Sequence, residues 1–551
     1  MGVLGSEGGF SNPLISLDQN FRIRNSDQGN GGEFNYQDWF SGDTSFLGGI
    51  EYDLKRYGLR FSLEYDTSEP DTESKERNNP FSIKSRFNFG INYSLSESLN
   101  LGLAIERGEQ VRLSFALKGN FLEDTIPKPK PKNVISLSGD QLKRSKDNKA
   151  IFYRSLNKSL QDESIFIQAA NYNEESVDLA IATSRFASLT RAAGRSARIV
   201  SALTGDEISE INIHAMNGDF EVLTFELDRK EIDQALNGEG SSSEILYKSS
   251  FSSNSQSPLY ENADFMPSVS YPELNWSMAP SLKHQIGGPE GFYLGQLSWK
   301  TDLNLKLRRN LTVYSSFGIN LYDTFNNFNN GSSSELPHVR SDIQSYLKEG
   351  KNSLQKLQIE YMFSPLRDVF VRLDLGYFEE MFGGLGGEVL YRPLESKGSL
   401  GLSVHKVKQR GFRQRFSFRD YETTTGHASL YYELPYGISS QLMYGKYLAG
   451  DKGATLDLSR RFKTGFLIGI FATKTDVPKE IFGEGSFDKG FYFSIPTSLF
   501  YSDYRTGNIS FGLHPLTKDG GAILNLHHSL FGILSDSNKD SALRDWQNFL
   551  D

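Results

Sequence analysis

The chain contains no cysteine in its 551 residues, so neither a disulfide framework nor a cysteine-based metal site is open to it. Nowhere does it approach the roughly 18 uncharged apolar residues that a membrane-spanning helix requires, and its mean hydropathy is only -0.45. With a net charge of -9 it lacks the basic field that nucleic-acid phosphates demand, which excludes nucleic acid as a partner. Catalytic signatures are absent too. None of the eight histidines belongs to an HExxH pattern, and no GxSxG, Walker loop or dinucleotide fingerprint occurs. His527 and His528 adjoin on an expected strand, where neighbouring side chains face opposite ways and chelate poorly. No metal or cofactor is therefore expected, and the chain reads as a non-enzyme. Finally, Met1 is followed by Gly2, Val3, Leu4, Gly5 and Ser6 rather than by the basic start and apolar core of a secretory signal.

What is present is a two-residue rhythm. Leu303, Leu305 and Leu307 alternate with Asn304, Lys306 and Arg308. Leu59, Phe61, Leu63 and Tyr65 alternate with Arg60, Ser62 and Glu64, and Val371, Leu373 and Leu375 with Arg372, Asp374 and Gly376. Each such strand offers one apolar and one polar face. About twenty segments of roughly 8–12 residues show the pattern, which is the signature of an outer-membrane β-barrel. Aromatics at 13% and 51 glycines suit a barrel with a wet interior.

The rhythm breaks once, which divides the chain into three blocks. Residues 1–126 hold about six strands, fewer than the eight of the smallest bacterial barrels, so this block needs further strands to close. Residues 127–258 open with the stiff run Pro127-Lys128-Pro129-Lys130-Pro131-Lys132. A helix is expected over Asp147–Leu160, a strand over Ser164–Ala169 and mainly helix over Ser176–Leu203. Strands over Glu210–Ala215 and Phe220–Leu227 and a helix over Lys230–Leu236 follow, and Gly238–Pro258 reads as a Gly/Ser-rich linker. This is a small α/β module. Residues 259–551 resume the rhythm for about fourteen strands, enough to close around a wet lumen. A short helix at Lys539–Asp551 would plug or cap one mouth. The fold class is thus all-β dominated, with antiparallel tandem barrels, the first incomplete, separated by an α/β domain.

Two groups of residues carry candidate chemistry. Arg191, Arg195 and Arg198 fall on one helix face, which is either solvated or a surface for an anionic glycan or partner protein. The densest polar cluster runs from Glu379-Glu380 through Met381-Phe382-Gly383-Gly384-Leu385-Gly386-Gly387 to Glu388. It is a tight glycine-rich hairpin with acidic flanks, or else a carboxylate pair for acid–base work on a sugar, assisted by His427. Charges such as Glu360, Arg372, Asp374, Lys406 and Lys408 are expected in a wet lumen, because a midplane Lys or Arg facing lipid would cost about 2–4 kcal/mol. Tyr431 and Tyr444 are read as interface girdle.

At this cluster the chain resembles the YjbH/GfcD-like outer-membrane proteins of exopolysaccharide and group 4 capsule gene clusters. The matching stretches are Gly376 to Pro393, Thr425-Gly426-His427, Tyr447 to Asp451, and Phe482-Gly483-Glu484-Gly485-Ser486-Phe487-Asp488-Lys489-Gly490 with Ser494-Ile495-Pro496. His338 to Asp342, Lys408-Gln409-Arg410, Gly49 to Tyr52, Gly58 to Arg60 and Arg191 to Arg195 agree as well. The resemblance implies two tandem outer-membrane barrels around a periplasmic α/β domain, with a signal peptide and further strands ahead of the position of Met1, which would make residues 1–126 the C-terminal half of the first barrel. It implies a role in secretion of exopolysaccharide or capsule in a Gram-negative bacterium. The implied partners are outer-membrane lipid, the polysaccharide, and periplasmic or outer-membrane export proteins of the same gene cluster. The family supplies no catalytic residues. Glu379, Glu380, Glu388, Arg392, Lys408, Arg410, Asp451, Glu484, Asp488 and Lys489 are the candidates for lumen lining or polymer contact, and Arg191, Arg195 and Arg198 for a periplasmic partner face. The alternatives are a barrel enzyme that modifies the polymer and a non-conducting assembly scaffold with a closed lumen.

Overall fold

A computed structural model describes residues 2–3, 10–22, 40–42, 44–68, 83–96, 99–118, 121–122, 126–131, 148–253, 258–288, 291–325, 334–482, 487–513, 519–535 and 537–551. They are mostly strand, in antiparallel sheets. The chain forms two compact units, the first lying within Met1–Asn120. It is a six-stranded meander of β1 (Gly2–Val3), β2 (Ser45–Leu54), β3 (Leu59–Asp66), β4 (Phe87–Ser94), β5 (Leu99–Glu106) and β6 (Gln110–Leu117). One face presents exposed apolar side chains, among them Phe61, Leu63, Phe89, Ile91, Leu101 and Leu103, although charged residues such as Arg60 and Asp53 are exposed as well. On the other face, Arg60 meets Asp53 at 2.7 Å and Asn88 donates to Glu64 at 3.3 Å.

The second unit begins with a module of ordinary burial. It contains α1 (Lys149–Asp162), β7 (Ile165–Tyr172), β8 (Ser176–Thr183), α2 (Leu189–Leu203), β9 (Glu210–Asn217), β10 (Phe220–Asp228), α3 (Arg229–Leu236), α4 (Ser242–Lys248) and β11 (Ser250–Ser252). The strand order is β11-β10-β9-β8-β7, with only the β8–β9 pair parallel, because α2 carries the chain across between them. Phe152, Leu156 and Leu160 of α1, Ala193, Ala197 and Val200 of α2, and Val177, Leu179, Ile211 and Ile213 of the sheet are fully buried. Arg229 closes the C-terminal end of α2 by donating to the carbonyls of Ser201 at 3.2 Å and Thr204 at 3.1 Å.

Two expectations for this module require correction. Ser176–Thr183 is a strand rather than the start of a helix. Val177, Leu179 and Ile181 alternate with period two, and the Ala- and Arg-rich helical stretch begins only after the Ser188 cap. The Gly/Ser-rich stretch after Gly238 also holds structure. The Ser241–Glu244 capping box satisfies both orphan N–H groups at the start of α4, and β11 then pairs with β10.

The remaining strands form one thirteen-stranded meander. They are β12 (Glu273–Gly288), β13 (Gly291–Arg308), β14 (Leu311–Asp323), β15 (Ser353–Leu366), β16 (Val369–Tyr377), β17 (Phe382–Tyr391), β18 (Gly398–Arg410), β19 (Phe418–Leu434), β20 (Ile438–Lys446), β21 (Lys452–Arg461), β22 (Leu467–Thr475), β23 (Asp488–Pro496) and β24 (Asn508–Leu513). The helix α5 (Ile343–Glu349) lies between β14 and β15, and α6 (Lys479–Phe482) between β22 and β23. Among the described residues the count is thirteen, where about fourteen were expected. The strand expected at His527-His528 is not among them; these residues lie in irregular chain ahead of α7 (Leu530–Leu534) and α8 (Lys539–Arg544).

Burial in this sheet runs opposite to that of the module. Leu373, Leu375, Leu385, Leu400, Leu402, Val404, Leu430, Leu442, Leu456 and Ile470 are exposed. Gln358, Glu360, Arg372, Asp374, His405, Thr425, Thr455 and Thr473, on the opposite face, are buried. The glycine-rich cluster is no hairpin tip. Gly383 to Gly387 lie inside β17, and a Cβ on Gly386 would fall 2.4 Å from the His405 ring while one on Gly384 would fall 2.1 Å from the Lys406 carbonyl. Glycine is needed there because neighbouring strands and a buried ring approach the backbone closely.

Candidate functional site

The buried polar face is built from alternate residues of β15 to β18. Arg372 donates to Asp374 at 3.1 Å and faces Glu388 at 3.2 Å. His405 Nε2 lies 3.1 Å from the same Asp374 carboxylate, and Gln358 donates to Glu360 at 2.7 Å and to Asp374 at 3.1 Å. One guanidinium thus serves two carboxylates, and each carboxylate has a second partner. Buried charges persist only when they are paired in this way.

Residues 519–535 run the length of this face. At one end, Asp519 accepts from the backbone N–H groups of Arg340 at 2.7 Å and Ser341 at 2.9 Å, while Gly521 donates to Asp451 at 2.8 Å. Farther along, Asn525 N–H donates to Glu379 at 3.2 Å, and His527 N–H to Gln358 at 3.2 Å. His528 Nδ1 lies 2.9 Å from Glu360, and its carbonyl accepts from Arg372. Leu530 N–H donates to Glu388 at 3.0 Å, and Arg392 donates to the Ser535 carbonyl at 3.0 Å. Phe531 stacks on Tyr431 with centroids 3.8 Å apart, which places Tyr431 on the inner face rather than in a girdle. The segment thus meets part of its backbone hydrogen bonding with strand side chains in place of a sheet ladder.

The sequence candidates divide on this geometry. Glu379, Glu388, Arg392 and Asp451 all hold the segment. Glu379 is also clamped by Arg340 at 2.8 and 3.1 Å, and Glu380 pairs with Lys283. Arg410 is fully buried and donates to the carbonyls of Gln355, Glu379 and Leu354, so it ties connections together and does not line an open space. Lys408 departs from the expectation. With Lys406 it shares the parity of the exposed Leu402 and Val404, on the outer face of β18. Asp488 opens β23, Lys489 lies 4.4 Å over the Phe487 ring, and Glu484 falls outside the described residues. His427 packs edge-on to Tyr447 at 4.8 Å. Sequence reasoning missed the path of residues 519–535, since their partners are 70 to 183 positions away.

A cavity of about 1000 Å³ remains beside the segment. Lys283, Lys300 and Lys356 line it with Asp302, Glu379 and Glu380, and Tyr314, Asn304 and Gln355 add hydrogen-bonding groups. Tyr314 packs against the His527 ring at 4.0 Å. Such a surface offers many donors and acceptors of both signs. Among the described residues, no group of three or more His, Asp or Glu is arranged to hold a metal ion.

In the module, the arginine face is largely turned inward. Arg195 is buried and donates to Glu163 at 2.9 Å, to the Asp551 carbonyl at 2.7 Å and to the Pro129 carbonyl at 3.2 Å. Arg191 lies 4.5 Å over the Tyr504 ring, and Arg198 is half-buried. Trp546 stacks against Phe225 at 6.4 Å and Phe549 at 4.5 Å, so the final helical stretch packs on the module. His214 is buried between carboxylates, with Glu221 at 2.6 Å and Asp178 at 4.0 Å. Burial works to lower its pKa, but the two carboxylates outweigh burial and hold it up at about 9.

The chain matches known proteins over almost its full length. The YjbH family profile, described as "Exopolysaccharide biosynthesis protein YbjH", matches residues 1–536. The "Uncharacterized lipoprotein YjbH" of Escherichia coli (strain K12) is 30% identical over 554 residues, covering 97% of this chain and 76% of that protein. The chain therefore belongs to the YjbH exopolysaccharide biosynthesis family.

Proposed function

We propose that this protein is an outer-membrane component for exopolysaccharide secretion, acting as polymer conduit or docking component, with the α/β module in the periplasm. The observation that carries the reading is the inverted burial of the thirteen-stranded sheet. Apolar side chains such as Leu373, Leu402 and Ile470 face outward while Arg372, Asp374 and Glu360 face inward. Lipid is the solvent in which that arrangement is favourable, and a barrel is the form in which strands cross it. The six-stranded sheet repeats the pattern and reads as part of a first barrel. Supporting the module's placement, it meets the end of the sheet where turns are short. Asp219 pairs with Lys306 beside the two-residue turn at 309–310, while the longest connection, residues 324–352, is at the other end.

The family description supplies the polymer. Sugar hydroxyls would exchange among Lys356, Asn304, Gln355 and Glu380 in the cavity, since a conduit must release what it binds. Of the three arginines, half-buried Arg198 remains the module's candidate for meeting export partners. Deleting the gene while leaving its neighbours intact should reduce surface polysaccharide; an unchanged amount ends the proposal.

One observation favours a second reading, the non-conducting scaffold. Residues 519–535 occupy the polar face from end to end. Planar-bilayer recordings separate the two. A Glu379→Gln/Glu388→Gln/Asp451→Asn variant, which loosens the segment, should conduct more than the parent if the face is a gated conduit. If both stay silent, the sheet is an anchor.

A further inference from the structure

A second cavity, of about 410 Å³, lies where the module meets the short-turn end of the sheet. Its charge is unlike that of the chain as a whole. Lys128, Arg185 and Arg191 line it from the module side, Arg461 from the end of β21, Lys463 from the turn that follows, Arg505 from the connection after β23, and Arg544 from α8. Asp545 is the one carboxylate among its lining residues, in a protein whose net charge is -9. Among the described residues no carboxylate pairs with Arg191, Lys463 or Arg505. Arg191 Nε is buried without a hydrogen-bond partner, and the first turn of the fifteen-residue helix α2 also borders the space. Guanidinium forks and a helix N-terminus together suit a phosphate or similar oxyanion.

What surrounds the cavity narrows the class of ligand. Phe121 lies 5.7 Å from Phe466 and 6.2 Å from Phe500, and Phe462 lies 5.6 Å from Phe466. Arg505 lies 4.0 Å over Tyr501. A band of aromatics at the end of a membrane sheet marks headgroup depth, and Leu122, Leu189 and Phe462 add apolar walls to the basic ones. Resting on the membrane reading above, we propose that this cavity binds the phosphate-bearing headgroup of an anionic phospholipid at the module-facing rim of the sheet.

The test uses the full chain, purified in detergent and exposed in turn to phosphatidylglycerol, phosphatidylcholine, inorganic phosphate and a polyuronate, with native mass spectrometry and thermal melting as readouts. Phosphatidylglycerol should be retained in preference to phosphatidylcholine. Arg191→Gln/Lys463→Gln/Arg505→Gln should reduce that preference by roughly tenfold or more. The double variant Lys463→Gln/Arg505→Gln, at exposed positions, guards against misfolding, and Lys463→Arg should restore binding. Equal retention of the two lipids overturns the proposal, as does protection by phosphate or polyuronate equal to that by phosphatidylglycerol. The membrane reading fails separately, if the parent chain stays soluble and monomeric without detergent.

Discussion

The backbone carbonyl of Phe549 lies 1.7 Å from the point where a Cβ on Gly194 would stand. Helix α2 is thus compatible with the chain that crosses it only because position 194 lacks a side chain. Helix propensity alone would make Gly194→Ala stabilising by about 1 kcal/mol. The contact reverses that sign, with an expected loss of about 1–3 kcal/mol as in other overpacked sites. Melting of the variant should fall, and chymotrypsin should cut at Trp546 and Phe549 sooner. A raised melting temperature would sink the idea.

His214 makes the module's stability depend on pH in a defined window. Its folded pKa, about 9, lies above the ordinary value near 6.5, so its contribution is complete below pH ~6.5 and disappears as pH rises through ~9. The difference in melting temperature between the parent and His214→Gln should be largest near pH ~6 and shrink steadily above neutrality. Parallel curves for the two proteins would show that His214 titrates unperturbed.

Arg372 holds two carboxylates on the inner face, and its removal leaves both unneutralised. Arg372→Met should destabilise the sheet by about 3–5 kcal/mol, read as earlier loss of heat-modifiable mobility in detergent. The compensated variant Arg372→Met/Asp374→Leu/Glu388→Leu should recover much of that loss. If the single change is silent, the pair is not buried from solvent.

Leu402 tests which solvent meets the outer face. A water-exposed strand position tolerates Leu→Arg within about 0.5 kcal/mol, whereas a lipid-facing one costs about 2–4 kcal/mol near the midplane. Leu402→Arg should therefore reduce membrane assembly, and an unaffected yield would mean that the face is wet. Lys406, four positions along on the same face, suggests that the apolar band ends near there.

The period-two alternation made the strands legible because it is a local property of each segment. Val371, Leu373 and Leu375 announce their own face whatever the rest of the chain does. Lys408 was misplaced because period two names two faces without saying which is inside, and a charged residue near a strand end is tolerated on either. The helix over 176–188 was misread because Val177, Leu179 and Ile181 lie next to a strongly helical run that dominated the window. The path of residues 519–535 was illegible for a different reason. It is written in carboxylates such as Glu388 and Asp451, whose partners are backbone N–H groups, and a backbone N–H carries no sequence signature.

The course of residues 519–535 also orders the making of the molecule. Each of the thirteen strands pairs with its neighbour in sequence, so the sheet is assembled from short-range steps as the chain arrives. The filling of its polar face needs every strand in place and closes loops as long as the 183 positions between Arg340 and Ile523, an entropic cost that pairing of sequential strands does not carry. The interior therefore stays hydrated while the strands zip together, and dehydration is deferred to the final event of assembly.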